Sequence, residues 1–278
     1  MQSIAQKENR RTAATRRRGW GTSLTRCRKL ARVCSRLVTA ALAAAVGAGS
    51  LALVGATALP QTASSNTQTS QVAKTVQLTV PYISQENFLP TGCETVSALM
   101  LLHYWGIPVN AEGFLKHLKQ EPVQEQDGLL VGPDPNEAFA GDPREPNAFG
   151  CYPPVIVEAL KPLLPALLSV HDTTGTPLDQ LAKTCLPAGE PVLVWATINM
   201  QEPVQDVTWT VRDTGKKFTW LGREHCLVLR GYDETGYWFN DPYDSNGIVH
   251  WDKQTAELRY QQMGSRSVAV VKGSKSPV

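Results

Sequence analysis

No C-x-x-C spacing occurs in the 278 residues, which argues against a structural zinc site, and no segment repeats, so the chain is not built as a repeat array. Charge is missing from two stretches. Leu37 to Ala58 has about 22 uncharged residues rich in Ala, Leu, Val and Gly, long enough to cross a bilayer as a helix. Residues 61–71, QTASSNTQTSQ, have neither charge nor apolar periodicity, as expected of a flexible tether.

What is present is divided just as sharply. Residues 1–36 contain eleven Lys or Arg and one Glu, net +10, whereas residues 37–278 contain sixteen Lys or Arg and twenty-four Asp or Glu, net −8. Positive charge ahead of an apolar run predicts that the N-terminus stays in the cytoplasm and the remainder is exported. The basic charge stops where the apolar run begins, which argues against a nucleic-acid role. Arg16 to Arg18 resemble a twin-arginine signal only loosely, because Gly19 and Trp20 continue that pattern poorly. Ala56-Thr57-Ala58 has the small-x-small form of a signal-peptidase site, favouring cleavage after Ala58; the length of the run also suits an uncleaved anchor. The expected organisation is a basic leader (1–36), a signal-peptide core or transmembrane anchor (37–58), a linker (59–73) and one folded domain (74–278). That domain is long enough for its own core.

Within the domain, residues 85–106, QENFLPTGCETVSALMLLHYWG, place Cys93 at a helix start. Pro90, Thr91 and Gly92 break any helix before it, and good helix formers follow. Apolar residues cover much of the circumference, which predicts a buried helix that holds its first residue rigidly. Unpaired N–H groups and the helix dipole there favour thiolate over thiol. A buried cysteine more often packs as a small hydrophobe, but the Gly-Cys junction and the partners below favour a nucleophile.

The remaining chain reads as a strand over 76–83 broken by Pro81, a short helix over 111–118 capped by Asn110, and a Gly-, Pro-, Asp- and Asn-rich loop over 121–151. Helices follow over 153–164 and 177–186, the latter with Thr176 as a cap, with a strand over 166–170 between them. Period-two strands are expected over 192–198, 207–211, 218–221, 225–231 and 236–240, then a helix over 252–263 and a strand over 267–271. An N-terminal helical part followed by an antiparallel sheet is an α+β arrangement.

A cysteine nucleophile needs a base that can also act as an acid, which imidazole does near neutral pH. His103 lies about 15 Å along the Cys93 helix, too far to reach the thiol. His117 and His171 have surface-like contexts, and His250 ends a short strand. His225 opens the strand HCLVLRGY, where alternation puts Cys226 on the other face. A turn at 233–236 brings Asp241 back beside His225 to orient the ring, with Asn240 the alternative on the opposite face. The Cys93 backbone N–H and the Gln85 amide are candidate donors to an oxyanion. With Cys93 free, at most one disulfide forms among Cys93, Cys151, Cys185 and Cys226, and Cys151–Cys185 is the expected pair.

Gln85, PTGCE at Cys93, HCLVLRGYD at His225 and FNDP at Asp241 resemble the Gln, Cys, His, Asp order of papain-fold cysteine peptidases. More specifically, the chain resembles over residues 77–272 the bacterial branch similar to the bacteriocin double-glycine leader peptidases, and GPDPNEAFAGDP, FGCY and PVLVWATINM resemble segments of that branch's stand-alone exported members. The resemblance implies a papain-like fold with Cys93 as nucleophile, His225 as base, Asp241 as its orienter and Gln85 in the oxyanion hole. The leader peptidases are cytosolic domains of transporters, and nothing here resembles a transporter. The resulting expectation is an exported or membrane-tethered peptidase acting on a peptide or protein substrate, without cofactor or metal. Residues 121–151 would form a lid, with Trp195 and Trp220 as groove walls or core. A peptide-binding module with an inactive peptidase fold, or a cell-wall amidase or transpeptidase using the same thiol, are the alternatives.

Overall fold

The computed structural model describes residues 75–86, 88–243 and 247–273; the leader, the uncharged run of 37–58 and the linker of 59–73 lie outside them. No helix among the described residues is long and apolar enough to cross a membrane.

The chain enters as β1 (Val76–Gln77) and reaches α1 (Cys93–Tyr104), where every residue from Cys93 to Leu102 is buried. Glycine is required just before it, since a Cβ at Gly92 would stand 2.8 Å from the Leu89 Cβ. Asn110 caps α2 (Ala111–Leu115) as expected, its side chain accepting from the Gly113 N–H. The stretch expected to be loop instead carries β2 (Gln120–Glu121), β3 (Gln124–Gln126), β4 (Leu129–Gly132) and β5 (Phe139–Ala140). Then come α3 (Pro153–Leu160), β6 (Leu168–Asp172) and α4 (Leu178–Cys185). The residue capping α4 is Pro177, not Thr176, and no side chain bonds there. Strands β7 (Val192–Thr197), β8 (Val204–Val211), β9 (Lys217–Gly222), β10 (Glu224–Tyr232), β11 (Gly236–Asn240) and β12 (Ile248–Asp252) lead to α5 (Lys253–Gln262) and β13 (Ser267–Lys272).

The main sheet runs β12-β11-β10-β7-β13-β6, with β1 also on β10, and all its pairs are antiparallel. Alternating residues of its strands enter two separate cores. Leu193, Trp195, Cys226, Val228, Val268 and Val270 pack with α1 and α3 on one face. Val192, Val194, Leu227, Leu229, Ala269 and Val271 pack with α4 and α5 on the other. A strand covered on both sides needs an unbroken apolar run, which is what PVLVWAT and HCLVL supply.

Two expectations are corrected here. Strands β8 and β9 leave the main sheet for a second one ordered β3-β4-β8-β9, in which β4 and β8 are parallel. It encloses an aromatic cluster in which Trp209 meets Phe218 at 4.9 Å and Trp220 stacks on Tyr152 at 5.6 Å. Trp195 and Trp220 are buried core residues rather than groove walls. The disulfide is absent: Cys151 belongs to the first core and Cys185 to the second, so the sheet separates them, and all four described cysteines are free.

Candidate active site

Helix α1 packs across the first face of the main sheet, and one turn from its start Ser97 Oγ donates to the Cys226 carbonyl on β10 at 3.0 Å. This contact brings the head of α1 to the start of β10. Cys93 is buried there and donates its thiol proton to Glu94 Oε2 at 3.3 Å. Burial pushes the Cys93 thiol well above its ordinary pKa, and the nearby Glu94 and Glu224 carboxylates push it further. The sequence had suggested the opposite, a thiolate favoured by the helix start. Burial and the neighbouring acidic groups outweigh the dipole and favour the thiol over the thiolate.

His225 and Asp241 meet as expected. Asn240 pairs with Val228 in the register of β10 and β11, so Asp241, one residue beyond, returns toward the head of β10. His225 Nε2 lies 2.6 Å from Asp241 Oδ1, and both side chains are almost wholly buried. An ionised carboxylate only accepts, so Nε2 carries the proton and Nδ1 is left for a reacting group. Asp241 Oδ1 also accepts from the Tyr243 N–H at 2.9 Å, which fixes the carboxylate. Asn240 faces away, donating to the Val80 and Pro81 carbonyls.

Gln85 is buried next to these groups, its backbone N–H donating to the Pro242 carbonyl at 2.9 Å. One amide hydrogen goes to the Pro90 carbonyl at 3.3 Å, leaving the second available, and the Oε1 atom has no hydrogen-bond partner among the described residues. Three of the four other histidines are engaged elsewhere: His103 with the Val109 carbonyl, His171 with Ser169 and His250 with Asp233.

The structure therefore brings His225 to Asp241 and ties Gln85 to the same turn. The thiol hydrogen bond, however, goes to Glu94 and not to the imidazole. Sequence reasoning missed two residues, Glu94 and Glu224. Glu94 is fully buried, and its Oε1 accepts from the Cys151 N–H at 2.7 Å. Burial raises its carboxyl to about 7, opposed by the hydrogen bonds it accepts and by His225. Glu224 opens β10, buried, with Oε1 lacking a partner among the described residues. Burial and the Glu94 charge push its carboxyl well up, while Arg266 eases it. Donor atoms of Cys93, Glu94 and Glu224 lie within 4.8 Å of one another, a spacing that suits a metal ion, but both Glu94 oxygens are already used by hydrogen bonds. Two full negative charges at that separation repel by about 3.5 kcal/mol at an effective dielectric of ~20.

Beside this centre, the Thr91 hydroxyl, two residues before Cys93, donates to the Glu145 carbonyl at 2.9 Å. Residues 141–148 form one wall of a cavity of about 450 Å³ whose other wall is residues 120–123.

A sequence model of the Peptidase_C39 like family matches residues 77–268. The chain belongs to that family. The uncharacterized protein YvpB of Bacillus subtilis (strain 168) is 31% identical over 185 residues, covering 66% of this chain and 70% of YvpB. A candidate C39-like peptidase from Bacillus anthracis, known from a crystal structure, covers 73% of this chain and is itself covered completely, with 29% identity and a TM-score of 0.64. The α+β architecture of this C39-like chain is papain-like, and its family points to a cysteine peptidase. A double glycine motif protease from an AMS/PCAT transporter, solved in complex with the leader peptide, has 16% identity and a TM-score of 0.40, too loose a likeness to bear on function.

Proposed function

We propose that this C39-like protein is an exported or membrane-tethered cysteine peptidase that hydrolyses peptide bonds through a thioacyl intermediate on Cys93. The reading is carried by the buried His225–Asp241 pair, which holds an imidazole whose Nδ1 has no hydrogen bond among the described residues, one residue before the Cys226 carbonyl that Ser97 of α1 bonds. The Cys93 thiol gives its proton to His225 Nδ1 and the sulfur attacks the scissile carbonyl carbon. The Cys93 N–H and the second amide hydrogen of Gln85 stabilise the oxyanion. His225 then passes its proton to the leaving amine as the C–N bond breaks, and water, deprotonated by His225, hydrolyses the thioester. Peptide or protein is the substrate, and the cavity between residues 120–123 and 141–148 is its side-chain subsite.

With a panel of unfolded protein substrates, Cys93→Ala is expected to abolish cleavage while leaving the circular dichroism spectrum intact. Asp241→Asn should lower turnover by roughly 10²- to 10⁴-fold. Cleavage retained by Cys93→Ala would sink the proposal. The protonated, Glu94-bound thiol favours a second reading, a peptide-binding module; stoichiometric binding without cleavage over long incubation is its signature. The location is tested by N-terminal sequencing of protein recovered outside the cytoplasm. A mature chain starting at Leu59 indicates cleavage and an intact leader an anchor, whereas protein found only in the cytoplasm refutes export.

A further inference from the structure

The peptidase reading leaves the buried carboxyl groups beside the nucleophile unused. We propose that Glu94 and Glu224 hold one proton between them above neutral pH and act as a positioning pair for Cys93, with Glu224 keeping the proton and Glu94 the charge.

Three features support this. First, the two carboxyl groups and the Cys93 sulfur lie within 4.8 Å of one another in a buried site, where two adjacent charges would lack solvent. Second, the hydrogen bonds separate the roles. Glu94 accepts twice, from the Cys93 thiol and from the Cys151 N–H, as a carboxylate does. Glu224, less than a tenth exposed, has Oε1 without a hydrogen-bond partner among the described residues, so no donor there stabilises a charge and the neutral acid costs less. Third, the backbone leaves room for the pair: a Cβ at Gly150 would stand 2.4 Å from Glu94 Oε1 and 3.2 Å from Glu224 Oε2.

The ionisable groups that act on the pair are Cys93, Cys151, Tyr152, His225, Cys226 and Arg266. Arg266 is the cation that eases Glu224, and its guanidinium is also stacked 3.6 Å above the Tyr152 ring. Glu94 thus joins the nucleophile to the 150–151 backbone and sets the resting direction of the thiol. When the thiol turns toward His225, the Sγ–H···Oε2 bond breaks and the thiol proton goes to the imidazole. The proton on the pair does not move.

The catalytic consequence rests on Cys93 being the nucleophile, but the test does not, because it reads alkylation and infrared absorption rather than hydrolysis. Full-length protein is treated with iodoacetamide across pH, and modification of Cys93 is followed by peptide mass spectrometry. The wild-type profile should contain an inflection near pH 7, where Glu94 ionises. Glu94→Gln should remove that inflection and raise the rate at about pH 8 by roughly tenfold, because the neighbouring negative charge is gone. A purely structural Glu94 would alter melting temperature but not the shape of the profile. On the wild type alone, infrared spectra should show a protonated carboxyl band persisting above about pH 8, far beyond an ordinary carboxyl. A folded Glu94→Gln protein with an unchanged profile, or no such band in the wild type, overturns the proposal.

Discussion

At the scale of single residues, the centre depends as much on a missing side chain as on those present. Gly150 allows Glu94 to meet the Cys151 N–H, and its φ is not in the left-handed region, so space rather than conformation demands glycine. Gly150→Ala should displace the Glu94 carboxylate and cost about 1–3 kcal/mol, read from urea unfolding. A loss below about 0.5 kcal/mol would mean that the pocket yields easily. Cys93, His225, Asp241 and Gln85 were legible in the sequence because helix-start, strand-end and turn signals are local. Glu94 and Glu224 were not. A glutamate next to a cysteine or histidine reads as solvated, and only the packing of α1 on β10 reveals that both are buried. The one available signal was the apolar character of the helix on all sides, which leaves its second residue no route to water.

At the scale of elements, most strands and helices fell where period and punctuation placed them, and β11 kept its predicted bounds. The assignment of strands to sheets was invisible, because period two reports which face is apolar and not which neighbour is bonded. The turn between β10 and β11 shows how local chemistry holds the site from a distance. Asp233 Oδ1 accepts from the Thr235 N–H at 2.7 Å and the Gly236 N–H at 2.9 Å, and Oδ2 accepts from the Trp238 indole at 2.9 Å. Together with the Thr235 hydroxyl, which donates to Oδ1 at 2.6 Å and has the largest effect, these bonds hold the Asp233 carboxyl well below the usual range. A depressed folded-state pKa contributes stability above the unfolded value of about 3.9, and that contribution is lost as pH falls below it. Asp233→Asn should therefore lower the melting temperature at about pH 6, and the gap from wild type should narrow toward about pH 2. A gap independent of pH would refute the assignment.

At the scale of the whole molecule, the main sheet is ordered very differently from the chain. Strand β13 lies between β7 and β6, and it supplies Val268 and Val270 to one core and Ala269 and Val271 to the other. A chain ending at residue 264 should show no cooperative thermal transition by circular dichroism; a sharp melt in that truncation would show that β7 and β6 hold without it. The central place of β13 also determines timing. Synthesis proceeds from the N-terminus at roughly 5–20 residues per second, and neither core can close until residues 267–272 have left the ribosome. Until then the helix bearing Cys93 has no complete sheet to rest on, so the candidate site cannot be assembled on a nascent chain. On the proposed reading, the order of synthesis itself keeps the site silent while residues before 267 are being made, which spares the nascent chain from its own chemistry.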